Sequence, residues 1–248
     1  MPRAQNRGLS EHRPVEVVTG FHRFAEGSVL YRTGGTRVLC TASLDESVPK
    51  WMAGQGRGWV TAEYQMHPRA NPERREARDG RDAPLKSRTH EIQRLIGRAL
   101  RSAVDLGALG ERTLSIDCDV LEADGGTRTA SVTGGFIALA LAAHARGLRG
   151  FLRDQVAAVS VGYVADEVYV DLDYREDSAA RVDMNVVASA RGELVEVQAT
   201  AEGRPLPQPI FARMLAAGLE GVASLCARQQ AALAGAGVEL DALLAARG

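Results

Sequence analysis

Apolar and polar positions alternate with period two in several stretches of the chain, and each stretch predicts a strand. Gly27–Thr33 and residues 36–44 are β-rich runs joined by Gly34-Gly35, a short hairpin signal, and another strand is predicted over 58–66. Leu114, Ile116, Cys118 and Val120 alternate with Ser115, Asp117 and Asp119, as in a strand with one face buried. The period then changes. Ile92, Leu95, Ile96, Ala99, Leu100, Ala103 and Val104 recur at three- and four-residue spacing, predicting an amphipathic helix that ends near Gly107. Val132, Phe136, Leu139, Ala140 and Ala143 predict a second helix. Beyond Gly150, Val156–Val164 and 167–174 read as a hairpin, Val182–Ser189 and 193–200 as further strands, and 209–233 as a helix. The order ββ(β)-α-β-α-ββ-ββ-α is mixed α/β, of α+β type, with no internal repeat. A single domain over 1–248 is the economical reading. The polar tract 67–87 is predicted to be a long loop, and the tail 238–248 is assigned no function.

Composition narrows the classes. A chain of 248 residues, 45% hydrophobic and 25% charged, can bury a sizeable core. Its first ten residues lack an apolar h-region, and no later stretch reads as the roughly 20 apolar residues of a membrane span, so a cytoplasmic protein without a membrane partner is expected. Cys40, Cys118 and Cys226 lie in apolar patterns without C-x-x-C spacing and read as buried reduced thiols. The net charge of -1 argues against indiscriminate coating of nucleic acid, although a neutral total can hide a local basic face.

Three segments carry candidate chemistry. In D-V-L-E-A-D-G-G-T-R-T-A-S, beginning at Asp119, a strand runs through paired glycines into a helix. The free N–H groups and positive dipole end of such a helix suit an anion, with Thr127, Thr129 and Ser131 as further donors and Arg128 as a fork for phosphate. Plain loop chemistry is the competing reading. Arg88 lies four residues before Ile92 and is expected on the buried side of its helix, paired either with a carboxylate or with the anion at 125–128. Asp171, Asp173, Glu176, Asp177 and Asp183 crowd a third segment. Asp177 and Asp183 could converge on Mg²⁺, or the run could be a solvated acidic loop; Asp171 and Asp173, alternating on a strand, read as surface residues.

Together these segments resemble the ribonuclease PH family of phosphate-dependent 3′-to-5′ exoribonucleases. The resemblance rests on V-L-C-T-A-S at Val38, G-Q-G-R-G-W-V-T-A-E-Y at Gly54, E-I-Q-R-L-I-G-R-A-L-R at Glu91, I-D-C-D-V-L-E-A-D-G-G-T-R-T-A-S at Ile116, E-D-S-A-A-R-V-D-M-N-V-V at Glu176 and V-E-V-Q-A-T-A-E-G at Val195. It implies a ribonuclease PH-type fold in a homohexamer, a trimer of dimers, that trims tRNA precursors, releases nucleoside 5′-diphosphates and can run in reverse. At matching positions Arg88, Gly126, Thr127 and Arg128 would bind inorganic phosphate. Asp177 and Asp183 would serve Mg²⁺-dependent chemistry, with Asp183 either a ligand or a proton donor. The resemblance also places an RNA-binding and assembly loop over 67–87, bearing Arg69, Arg74, Arg75, Arg78 and Arg81. Aromatic residues are only 5% of the chain, so phosphate contacts are expected to outweigh base stacking. The alternative within the family is a non-catalytic, RNA-binding or scaffolding ring subunit.

Overall fold

The structure, a computed structural model, describes residues 3–72, 75 and 87–245. After a 3-10 turn at Ala4–Asn6 come β1 (Val15–Thr19), β2 (Gly27–Thr33), β3 (Thr36–Asp45), β4 (Trp59–Met66), α1 (Ser87–Ala103), α2 (Leu106–Leu109), β5 (Thr113–Glu122) and α3 (Thr127–Ala145). The chain continues through β6 (Val156–Val164), β7 (Glu167–Val170), α4 (Tyr174–Ala179), β8 (Val182–Ser189), β9 (Leu194–Ala201), α5 (Gln208–Gly235) and α6 (Leu240–Leu243). Two sheets result, ordered β1-β2-β3-β5-β4 and β7-β6-β8-β9.

Among the strands of the described residues every pairing is antiparallel except β4 with β5, which needs a crossover connection; α1 and α2 lie in it. Helix α1 buries Ile92, Leu95, Ile96, Ala99, Leu100 and Ala103, the predicted stripe. It stops at Ala103, short of Gly107, because Asp105 caps the separate short helix α2. Helix α3 is apolar on all faces and lies between the sheets, where Val132, Phe136 and Leu139 are fully buried. Its packing against β2 and β3 on one side and β6 on the other fixes its N-terminus between the layers.

Helix α5 covers the second sheet, setting Met214, Val222, Leu225 and Cys226 against Val159, Val161 and Val186. By length and composition it could cross a bilayer, which corrects the expectation that no stretch approaches a span. Here that apolar character serves packing, and Arg213, Glu220 and Arg228 interrupt it. The three cysteines are free and buried. The tail is part of the fold: Val238, Leu240 and Leu243 enter the main core, and Leu244 bridges to Leu152.

Two other expectations fail. Strand β7 ends at Val170, where Asp171 takes a positive φ of 57°, and the chain turns into α4. Asp171 and Asp173 are consequently buried, because broken strand geometry no longer alternates them outward. Asp173 caps α4 in a reciprocal capping box with Glu176.

Candidate active site

The turn after β5 delivers the chain to α3 through Gly125 and Gly126, with φ of 77° and 65°. A left-handed backbone at both positions is cheap only for glycine. Gly126 is the N-cap of α3 and supplies no side-chain hydrogen bond, whereas α2 and α4 are each capped by an aspartate. No side-chain cap therefore occupies the first N–H groups of α3, as none does at α5 or α6. Thr127 and Arg128, the first two residues of α3, are half-buried.

The predicted hydroxyls divide. Thr127 Oγ1 lies 2.9 Å from the Tyr64 hydroxyl. Thr129 and Ser131 are withdrawn from the site, a correction, since each donates to a carbonyl of its own first turn, at Gly126 and Thr127. Their burial leaves that bond as the available way to satisfy the hydroxyl. Arg128 Nη1 donates to Gln198 Oε1 on β9 at 3.2 Å and lies 3.5 Å from Glu91 Oε1 on α1.

Asp177 on α4 and Asp183, second residue of β8, face this cluster. Asp177 is exposed at the surface and Asp183 half-buried, and the partial loss of water around them pushes both carboxyls above the ordinary range. The Asp177 charge raises Asp183 further, and Arg128 and Arg88 pull both downward. Arg88, Arg128, Asp177 and Asp183 thus share one electrostatic neighbourhood. Arg88 itself is exposed, contrary to the inward placement expected of it. Thr89 takes the buried position instead, three residues before Ile92, and leaves Arg88 exposed beside the stripe, where its charge still pulls both carboxyls downward.

Of the loop arginines, Arg69 and Arg75 are exposed, and Arg74, Arg78 and Arg81 lie outside the described residues. Ala70 is buried and its carbonyl accepts from Ala123 N, which ties the start of the tract to the turn after β5.

Residues 11–144 match the 3′ exoribonuclease family, domain 1, and residues 154–221 match domain 2 of the same family. The chain belongs to the 3′ exoribonuclease family. It is 53% identical to the Ribonuclease PH of Moorella thermoacetica over 240 residues, 94% of this chain and 95% of that protein. This exoribonuclease is accordingly phosphate-dependent and works in the 3′-to-5′ direction, with inorganic phosphate as co-substrate and RNA as substrate. Its fold is that of rice (Oryza sativa) Rrp46, with TM-score 0.76, 16% identity and coverage of 93% of this chain and 100% of the other. It is likewise similar to the Archaeoglobus fulgidus exosome with RNA bound to the active site, with TM-score 0.74, 23% identity and coverage of 91% and 92%.

Three residues without a signal in the sequence touch Thr127 or Arg128 of this exoribonuclease: Tyr64, Glu91 and Gln198. Each stands in a quoted block, yet none has a spacing relation to Thr127 or Arg128. Only the meeting of β4, α1 and β9 at the α3 N-terminus brings them there.

Proposed function

We propose that Gly126, Thr127, Arg128 and Arg88 hold the attacking phosphate of this exoribonuclease, and that Asp177 and Asp183 serve the scissile phosphodiester. The observation that carries the reading is the α3 N-terminus: it has no side-chain cap, begins with Thr127 and Arg128, and lies within the electrostatic reach of Asp177 and Asp183.

Phosphorolysis must bring two anions together. The guanidinium groups of Arg88 and Arg128 and the first N–H groups of α3 offset that repulsion and orient phosphate in line with the 3′-terminal linkage. The phosphate oxygen attacks phosphorus, the shortened RNA leaves through its 3′-oxygen, and a nucleoside 5′-diphosphate is released. Asp183, whose affinity for a proton is raised, is suited to protonating that leaving oxygen.

The donor set also fits Mg²⁺. With Glu91 beside Arg128, three carboxylates already outnumber the two guanidiniums in the free site, and phosphate and RNA add to the surplus of negative charge. Mg²⁺ held by Asp177 and Asp183 would offset that surplus as a Lewis acid, in keeping with its usual one or two protein carboxylates plus substrate phosphate. For the RNA we take tRNA precursors with extra 3′ nucleotides. Exposed Arg69 and Arg75 contribute phosphate contacts, and their number is multiplied in a homohexamer built as a trimer of dimers.

The test incubates the protein with a tRNA bearing extra 3′ nucleotides and Mg²⁺, with and without inorganic phosphate. Nucleoside diphosphates are expected only with phosphate. Monophosphates formed equally without it would refute the site reading, and RNA binding without any product would favour a scaffolding subunit.

A further inference from the structure

The phosphate loop is fastened from beneath by a residue far from it in sequence. Arg13, only 3% exposed, lies between Asp171 and residues 124–125. Its Nη2 donates to Asp171 Oδ1 at 2.7 Å, and its Nε and backbone N donate to Asp171 Oδ2 at 3.0 and 2.8 Å. The same guanidinium reaches the loop, with Nη1 2.5 Å from the Asp124 carbonyl and Nη2 3.5 Å from that of Gly125. Thr36 holds the other side: its hydroxyl donates to the Gly125 carbonyl at 2.7 Å and accepts from Asp124 N at 2.9 Å.

A buried guanidinium must place every N–H donor on an acceptor, and Asp171 takes only part of the set. Here the remaining donors go to the two carbonyls that precede the helix N-cap. Among the described residues no peptide bond is cis, so each carbonyl points opposite the N–H of its own peptide unit. Drawing the Asp124 and Gly125 carbonyls toward Arg13 and Thr36 turns the Gly125 and Gly126 amides the other way. Among the described residues neither amide finds a protein acceptor. The anchor also sets the loop's height over the turn into α4, where a Cβ on Gly125 would come within 2.6 Å of the Leu172 carbonyl oxygen.

We propose that Arg13 is a positioning residue for phosphate, fastening the loop's carbonyls to Asp171 so that its amides and the α3 N-terminus face the co-substrate. This rests on the reading of 126–128 as the phosphate site.

Arg13→Lys keeps the charge but cannot span Asp171 and both carbonyls. Equilibrium dialysis of inorganic phosphate against the folded variant should show about tenfold weaker binding, as expected for lost charge-assisted hydrogen bonds. The KM for phosphate should rise by the same factor while that for RNA stays unchanged. If Arg13→Lys fails to fold, Thr36→Val, which removes only the hydroxyl from the other side, should weaken phosphate in the same direction. Wild-type phosphate binding and KM in whichever variant folds would overturn the proposal, as would a fall in kcat alone. Wild-type phosphate binding in Arg128→Ala, which alters the loop's own phosphate contact, would instead overturn the site reading beneath it.

Discussion

The Tyr64 hydroxyl and Thr127 Oγ1 lie 2.9 Å apart, joining the middle of β4 to the first residue of α3. Burial pushes the Tyr64 phenol up, outweighing the opposing pull of Thr127, Arg88 and Arg128, so it keeps its proton. With Tyr64 as donor, the Thr127 hydroxyl accepts and has its own hydrogen left for phosphate. Tyr64→Phe should raise the KM for phosphate about three- to tenfold, the value of one hydrogen bond, with the KM for RNA unchanged. Initial rates across a phosphate titration check this. A wild-type KM would remove Tyr64 from the orientation of Thr127.

Asp183 sets function against stability. Its carboxyl is raised by burial first and by Asp177 second, so the folded state holds its proton more tightly than the unfolded chain does. The stability contribution of such a group rises as pH falls from its folded pKa toward the ordinary value of about 3.9, and at neutral pH the ionised carboxylate costs stability. Asp183→Asn removes that cost. The ligand-free variant should melt higher at neutral pH while losing activity by about a hundredfold or more. Calorimetry beside a rate assay checks both, and a lower melting temperature would contradict the raised proton affinity.

Much of this was legible in the residues, and the exceptions have a common cause. Alternation gave Val156–Val164 and Val182–Ser189 their bounds, and helical spacing gave the buried stripe of α1. Strand β1 was missed because five residues after Pro14 show too few turns of a period-two pattern. Helix α4 was missed because its boundary is a capping box and a left-handed Asp171, which break the very periodicity being read. At the site, Arg128, Asp177 and Asp183 stood out by residue type and by family resemblance. Arg13 did not, since its partners at 124, 125 and 171 become neighbours only when both sheets close on α3.

Glu176 stands next to Asp177 but follows the opposite electrostatic rule. Burial alone would raise its carboxyl, yet bonds from Arg3, the Asp173 N–H and the nearby Arg7 hold it below the ordinary range. A depressed carboxylate gives stability that is complete above its unfolded value of about 4.3 and is lost as pH falls through the folded one. Glu176→Gln leaves two buried guanidiniums unbalanced. It should cost about 3 kcal/mol, roughly 6 to 12 °C in melting temperature at neutral pH. The difference between variant and wild type should narrow as the solution is acidified below about pH 4. Thermal melts at several pH values test this, and a difference that widens with acid would reverse the sign assigned to Glu176.

Gly125 offers the sharpest steric test of the proposal that the turn before α3 holds phosphate. Its φ of 77° carries a penalty of about 1 to 2 kcal/mol for an L side chain. A Cβ there would also lie 2.6 Å from the Leu172 carbonyl oxygen and 2.9 Å from Tyr174 N. Both obstacles are backbone atoms of the turn into α4, so no rotamer change relieves them, and the loop itself has to move. Misplacement of a bound reactant by about 1 Å can cost a hundredfold in rate, so Gly125→Ala should lower kcat/KM for phosphate by about that factor. RNA affinity should change less, since Arg69 is linked to the turn through the Ala123–Ala70 backbone bond and not through Gly125. Rates against phosphate, beside RNA binding measured without phosphate, separate these effects. A folded Gly125→Ala with wild-type phosphate kinetics would show that phosphate binds away from the α3 N-terminus.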